Sequence, residues 1–388
     1  MFIIKRPDDF NIELNTPSFF SRYQRLFRRG KKVIYIKNYF DNSTFRYRCF
    51  NIVEAMSRQI EFVITYFLSS ELHKIERDIS QVDLVVLQRA HWDINIEIFI
   101  SLCRKHCIPI IYDVDDLIIN PKYIPLYLNN LGIIGEENPL IDLHFNFASK
   151  HFILAEKSDG FIVTNDFLGQ NLDKDFGKPR WIIPNFLNLE QEYHSKTIRE
   201  NRLQDKSKFV LGYFSGSPSH KQDLAIVVDE LELFLRKHKD SLLKIVGHIE
   251  VPPKLRPYDG QIVQVPFVSF EELQYEIGEV DVNIVPLQMN LFNNCKSELK
   301  YFEAGIVNVI SCCSPTYVYN KIIKSGQNGY ICREGEWFST FERIYNDRKE
   351  SRRVAKNAFR SSLDLYGVNN QEEKITSVYE NILKSFNS

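Results

Sequence analysis

The chain has 388 residues, room for two to three domains at roughly 150 residues each. A content of 44% hydrophobic and 26% charged residues excludes a disordered or fibrous protein. Lys and Arg number 49 against 50 Asp and Glu, a net charge of -1, so the basic surplus of a dedicated nucleic-acid binder is missing and no nucleic-acid partner is expected.

The opening MFIIKRPDDF carries Lys5, Arg6, Asp8 and Asp9, which does not fit a signal peptide. Residues 1–30 read as an amino-terminal extension, and no apolar stretch approaches the ~20 residues of a membrane span. RYQRLFRRGKK, Arg22–Lys32, sets basic residues among Phe19, Phe20, Leu26 and Phe27. It reads either as a solvated helix face or as a peripheral contact with an anionic membrane surface.

Residues 31–190 alternate short apolar runs with amphipathic stretches, the pattern of βαβ units. Strands are predicted at Val33–Ile36, Phe62–Tyr66, Leu84–Leu87, Pro109–Tyr112, Phe161–Thr164 and Trp181–Ile183. Helices are predicted around Arg48–Arg58, Glu71–Ile79, Ile94–His106, Leu143–Glu156 and Phe167–Phe176. The runs are continuous rather than alternating, as strands buried on both faces must be. The polar stretch Asn188–Lys208 interrupts the series and places a linker over residues 191–208.

A second series fills residues 209–365. Its predicted strands are Val210–Phe214, Leu243–Val246, Ile262–Val265, Val282–Val285, Val307–Ile310 and Tyr330–Ile331. Its predicted helices are Gln222–Lys237, Phe270–Ile277, Glu298–Ala304, Trp337–Asn346 and Arg352–Leu363. A last amphipathic helix, Gln371–Phe386, lies in a segment (366–388) expected to cross back to the first domain. The fold class is therefore α/β: two Rossmann-like domains with parallel sheets facing across a cleft, ligands sitting at the strands' carboxyl ends. The seven cysteines (Cys49, Cys103, Cys107, Cys295, Cys312, Cys313 and Cys332) are odd in number, irregularly spaced and without a CxxC pair. Neither a disulfide framework nor a zinc site is expected, and reduced thiols point to the cytoplasm.

The segment FNNCKSELKYFEAGIVNVI is the most informative. If the chain is helical from Lys296, then Lys296, Lys300 and Glu303 share one face at i, i+4 and i+7. Two cations and a carboxylate on one stripe suit a nucleoside diphosphate, and an exposed salt-bridge face has the same spacing. The helix amino end near Ser297 would add N–H donors. LGYFSGSPSH is a strand and small-residue loop: Gly212, Ser215, Gly216 and Ser217 leave room for a diphosphate, with His220 and Lys221 to follow. IIYDVDDLI ends a buried strand in Asp113, Asp115 and Asp116, where helix capping competes with chemistry. Arg46 and Arg48 in TFRYRC read either as bidentate binders of acceptor phosphate or as exposed arginines in a first helical turn. Arg89 and His91 follow another strand at the same cleft edge.

Glu303-Ala-Gly followed by a strand resembles the second half of the glutamate-spacer-glutamate motif of family 4 glycosyltransferases of the GT-B fold. The resemblance implies that Glu303 holds the ribose of a nucleotide sugar. The first Glu of that motif falls at Cys295 here, and the Lys296, Ser297, Lys300, Glu303 pattern is similar instead to the bacterial polysaccharide-assembly branch. Gly212–His220 resembles the first strand-loop of the carboxyl-terminal domain in the same enzymes, and Pro184–Asn188 the Pro-Asn segment before their hinge. The family's Arg-then-Lys phosphate pair is not evident, so Lys221, Lys296 and Lys300 must supply that charge. The resemblance implies a retaining transfer from a nucleotide-diphosphate sugar to a saccharide or lipid-linked acceptor in surface polysaccharide synthesis such as O-antigen or capsule.

Asp113, Asp115, Asp116 and His91 are the catalytic candidates, on the acceptor wall of the cleft. No cofactor and no metal are expected, the nucleotide sugar being a substrate. Two other readings of the aspartates stand beside this one: the metal site of a GT-A glycosyltransferase, and the first motif of a haloacid-dehalogenase-type phosphatase. A non-catalytic sugar-nucleotide-binding subunit is a further alternative, given Cys295.

Overall fold

The computed structural model describes residues 16–40, 44–133, 139–201, 208–216 and 221–386. Among the described residues, twelve strands form two six-stranded sheets. In chain order the first sheet holds β1 (Lys31–Lys37), β2 (Phe62–Leu68), β3 (Leu84–Gln88), β4 (Ile110–Val114), β5 (Gly160–Val163) and β6 (Arg180–Ile182). The second holds β7 (Phe209–Ser215), β8 (Ser241–Gly247), β9 (Ile262–Val265), β10 (Val282–Val285), β11 (Ile310–Cys313) and β12 (Tyr330–Ile331). All pairings are parallel, in the orders β2-β1-β3-β4-β5-β6 and β12-β11-β10-β7-β8-β9. Strand order reverses between β1 and β3 and between β7 and β10, and open parallel sheets bind ligands at the carboxyl ends of such switch points.

Packing explains the continuous apolar runs. Along β1, Val33 and Tyr35 enter one buried cluster while Ile34 and Ile36 enter another on the opposite face. The first cluster continues across the domain boundary, joining Ile64, Val86 and Ile162 to Val285, Val307 and Tyr379. The chain crosses between domains at two adjacent segments: the Leu187 N–H donates to the Tyr366 carbonyl at 2.9 Å, and the Val368 N–H to Glu192 at 2.8 Å. The terminal helix Glu372–Phe386 then lies on the first domain, with the Tyr379 and Tyr35 hydroxyls 2.8 Å apart. Among the described residues, no helix is long and apolar enough to cross a membrane.

Several elements differ from expectation. Most of the expected linker is a helix, Leu189–Asn201, whose buried stripe is Gln191, Ser195 and Ile198. A stripe with one apolar member gives no hydrophobic periodicity. The strand expected at Val307–Ile310 begins three residues later, because Asn308 adopts a left-handed turn (φ 59°) after the preceding helix. The Glu71–Ile79 helix is a pair of 3-10 turns, Ser69–Lys74 and Glu76–Gln81. Gln222–Lys237 divides into Lys221–Ala225 and Val228–Lys237.

The basic run Arg22–Lys32 is not a uniform surface stripe. Arg22 is buried, forms a two-pronged pair with Glu71 at 2.8 and 2.9 Å, and donates to the Tyr66 carbonyl. Lys31 and Lys32 belong to β1, while Phe20, Phe27, Arg28 and Arg29 stay exposed.

Candidate active site between the two sheets

The second domain contributes the carboxyl end of β7. Ser215 is buried there, and Gly247 at the end of β8 packs directly on it. Gly247 has φ 110°, and a Cβ there would stand 1.8 Å from the Ser215 carbonyl oxygen. Gly216 has open space where its Cβ would be. Ser217 and His220 lie outside the described residues, and Lys221 is described only as the first residue of its helix. Gly212 differs from expectation. It lies inside the sheet, between Lys244 and Asn283, and a Cβ would meet Val280 and Phe214 at 2.7 and 2.8 Å. Its role is close packing rather than ligand contact.

Lys300 reaches the carboxyl end of β7, its Nζ donating to the Phe214 carbonyl at 2.8 Å. Burial lowers its pKa to about 8, against the opposing pull of the Asp223 carboxylate, and Lys296 lowers it further. Lys300 and Glu303 lie on the helix Leu299–Gly305, which begins later than the sequence suggests. Lys296 and Ser297 precede it in a loop tied to the first domain. Asn165 donates to the Cys295 carbonyl at 3.0 Å, and Asn185 to the Ser297 hydroxyl at 2.9 Å. Asn165 also caps the helix Asp166–Phe176, so the second domain's key loop is held by a residue already immobilised. Cys295, in place of a motif carboxylate, is buried in the first domain's apolar cluster with Phe292.

Glu303 is buried and accepts a hydrogen bond from the Tyr47 hydroxyl across the domain boundary. Burial raises its pKa, while Arg46, Tyr47 and Lys300 oppose the shift. Glu303 therefore meets the first domain at the gap between domains, with Lys300 close enough to act on its charge. On the other side of that gap is Asp116: burial raises its pKa, and the largest opposing charge is Lys296, followed by Arg89. Arg89 pairs with Asp115 at 3.2 Å and holds a left-handed backbone (φ 41°), a strained conformation for a non-glycine residue.

Beside Arg89 a cavity of about 390 Å³ opens at the β1/β3 switch point. Lys37, Arg89, Tyr127, His144, Phe147 and His151 are among its walls. His91 sits behind it, half-buried, its ring 6.2 Å from that of His151 and its backbone N–H donating to Asn38 Oδ1. Burial and then Lys150 lower the His91 pKa. His151, bonded to Tyr112 and the Ala90 carbonyl, is driven by burial to about 3 and stays neutral.

Other candidates are used elsewhere. Arg48 and Asp113 have no exposed side-chain surface and pair in two-pronged fashion at 3.0 and 2.6 Å. Burial works against the Arg48 charge, but Asp113 outweighs it and holds the guanidinium above its ordinary pKa. Arg48 also donates to the Ile183 carbonyl, tying β4 to the end of β6, so this pair shapes the site without facing it. Arg46 is buried between the Tyr47 and Phe270 rings, 4.0 and 4.2 Å from their centroids, at the domain interface rather than in the cavity beside Arg89. With Asp113 on Arg48 and Asp115 on Arg89, the three aspartates do not converge. Among the described residues no group of three or more His, Cys, Asp and Glu side chains is placed to hold a metal ion.

Nothing in the sequence singles out Tyr47 beyond its place in the Arg-Tyr-Arg triplet. His248 and Phe267 are equally silent there, yet their rings stack 5.0 Å apart just past the ends of β8 and β9 with Phe267 exposed. The Pro-Phe pair closing the β9 run is the one signal the sequence offers.

No family model and no curated protein matches the chain. Solved structures do. A glycosyltransferase from Rickettsia africae superposes with a TM-score of 0.62 at 11% identity, over 92% of this chain and 99% of that one. Sucrose-phosphate synthase from Thermosynechococcus elongatus gives 0.61 at 12%, over 92% and 100%. HepE from Anabaena, in complex with UDP, gives 0.57 at 12%, over 90% and 100%. Likeness at such low identity establishes architecture: the chain has the GT-B fold.

Proposed function

We propose that the chain transfers a sugar from a nucleotide-diphosphate donor to a saccharide or lipid-linked saccharide acceptor. The observation that carries this is the placement of Lys300 and Glu303 on one helix at the domain boundary, Lys300 bonded to the end of β7 and Glu303 to Tyr47 of the first domain, with Lys296 acting on the charge of Asp116. As the glycosidic bond breaks, negative charge grows on the departing diphosphate, and fixed cations aimed at it lower the barrier. Lys300 and Lys296 fill that role, Ser215 and Gly216 at the end of β7 receive the phosphates, and Glu303 accepts from the ribose hydroxyls. His248 and Phe267 offer the base a stacking face. The acceptor enters the cavity beside Arg89, walled by Lys37, Tyr127 and His144, and Asp115 acts on it through its pair with Arg89, while Asp116 and His91 are not among its walls.

Charge neutralisation by lysines supports a metal-independent transfer, and the motif around Glu303 supports retention of configuration. The Lys296, Ser297, Lys300, Glu303 pattern supports a place in bacterial surface polysaccharide assembly, at the cytoplasmic face of the membrane. Burial of Cys295 where the family carries a carboxylate favours a second reading, a sugar-nucleotide-binding subunit without turnover.

Thermal-shift screening with UDP (the nucleotide in the HepE complex), GDP, dTDP and CMP tests the binding step, since a ligand of the native state raises the melting temperature. One nucleotide should stand out, and Glu303→Ala should weaken its binding in calorimetry. Equal affinity in that variant removes the ribose role. Turnover that survives EDTA supports lysine-based charge neutralisation, and binding without turnover across a broad donor and acceptor panel favours the second reading.

A further inference from the structure

Glu303 belongs to the second domain, yet the group that orients its carboxylate comes from the first. Tyr47 sits on the π-helical turn Arg46–Phe50, and its hydroxyl donates to Glu303 Oε1. The same hydroxyl accepts from Gln191 Nε2 at 3.2 Å, and Gln191 is fixed by its own N–H on Asn188 Oδ1 at 2.8 Å. The hydrogen-bond chain runs Gln191 to Tyr47 to Glu303, so the phenol has one orientation. Its ring lies 4.0 Å from the Arg46 guanidinium carbon and edge-on to Phe302, which holds it independently of the hydroxyl. Burial raises the Tyr47 pKa, so the group remains a donor. Glu303 Oε2 accepts no hydrogen bond among the described residues.

Resting on the ribose role of Glu303, we infer that Tyr47 is a positioning residue: it pins Oε1 so that Oε2 is presented to the ribose 2′-hydroxyl. The ribose site is then completed across the domain boundary. Selectivity for a ribonucleotide over its 2′-deoxy counterpart depends on the first domain standing where it does here.

The test compares affinities of a ribonucleoside diphosphate and its 2′-deoxy form, using whichever of UDP and GDP shifts melting more. The wild type should prefer the ribo form by about ten- to hundredfold, as expected for a hydrogen bond to a buried charge. Tyr47→Phe keeps the ring and its packing. It should cut that preference to below about threefold while leaving deoxynucleotide affinity within about twofold. Glu303→Gln should abolish the preference, and the double variant should match it. If Glu303→Gln loses the preference but Tyr47→Phe keeps it, the positioning role is wrong and the ribose role stands. An equal loss of both nucleotides in Tyr47→Phe reports structural damage and overturns the inference. If Glu303→Gln keeps the preference, or neither nucleotide binds, the ribose role fails and the inference goes with it.

Discussion

Replacing Arg48 by Met separates a buried structural pair from a substrate contact. The change removes bonds to both Asp113 oxygens at 3.0 and 2.6 Å and to the Ile183 carbonyl at 2.6 Å. It strands a carboxylate that has no exposed surface. Breaking a buried pair from one side typically costs about 3–5 kcal/mol, because the remaining charge is uncompensated. At roughly 2–4 °C per kcal/mol for a domain of this size, the melting temperature should fall by about 6–20 °C. The double variant Arg48→Met, Asp113→Leu removes both charges and should recover much of that loss, giving a coupling energy of about 2 kcal/mol or more in a double-mutant cycle. Thermal and urea unfolding followed by circular dichroism read all four proteins. An Arg48→Met protein that melts within about 2 °C of wild type and loses only its affinity for acceptor would refute the assignment and return Arg48 to the acceptor site.

Lys300 gives a pH dependence. With its pKa lowered to about 8 from 10.5, the site loses a cation as pH rises through 8. Diphosphate affinity measured by calorimetry should therefore fall between pH 7 and 9.5, and a flat profile would remove Lys300 from the phosphates. The stability sign is opposite: between about 8 and 10.5 the unfolded chain holds a proton that the folded one lacks, so this group's contribution to stability rises with pH. Gly247→Ala puts a Cβ against the Ser215 carbonyl at φ 110° and should cost about 1–3 kcal/mol of backbone strain before the clash is counted. Urea unfolding and nucleotide binding should both weaken, and wild-type behaviour in both would contradict the packing. Phe267→Ala removes the exposed half of the His248 stack and should weaken nucleotide binding by about 1–3 kcal/mol, the usual worth of a base-stacking aromatic. Unchanged affinity would place the base elsewhere.

Much of the architecture was legible without coordinates. A strand buried on both faces must be a continuous apolar run, and β1, with Val33 and Tyr35 on one face and Ile34 and Ile36 on the other, reads that way. The same rule located the central strands of both sheets, though it set β11 three residues early, and helical spacing placed Lys300 and Glu303 on one face. It did not locate the helix Leu189–Asn201, whose buried Gln191 and Ser195 carry no hydrophobic signal.

What tertiary structure alone decided was which charged groups remain available to a ligand. Arg48 and Asp113 are 65 positions apart and equally plausible as site residues by composition, yet each uses its charge on the other. Lys296 leaves the helical stripe because Asn165 and Asn185, distant in sequence, hold the loop around it. Tyr47 meets Glu303 across 256 positions. Local patterning encodes burial and periodicity because both depend on near neighbours. The pairing of a charge depends on where the chain returns, so it appears only once the two domains are packed.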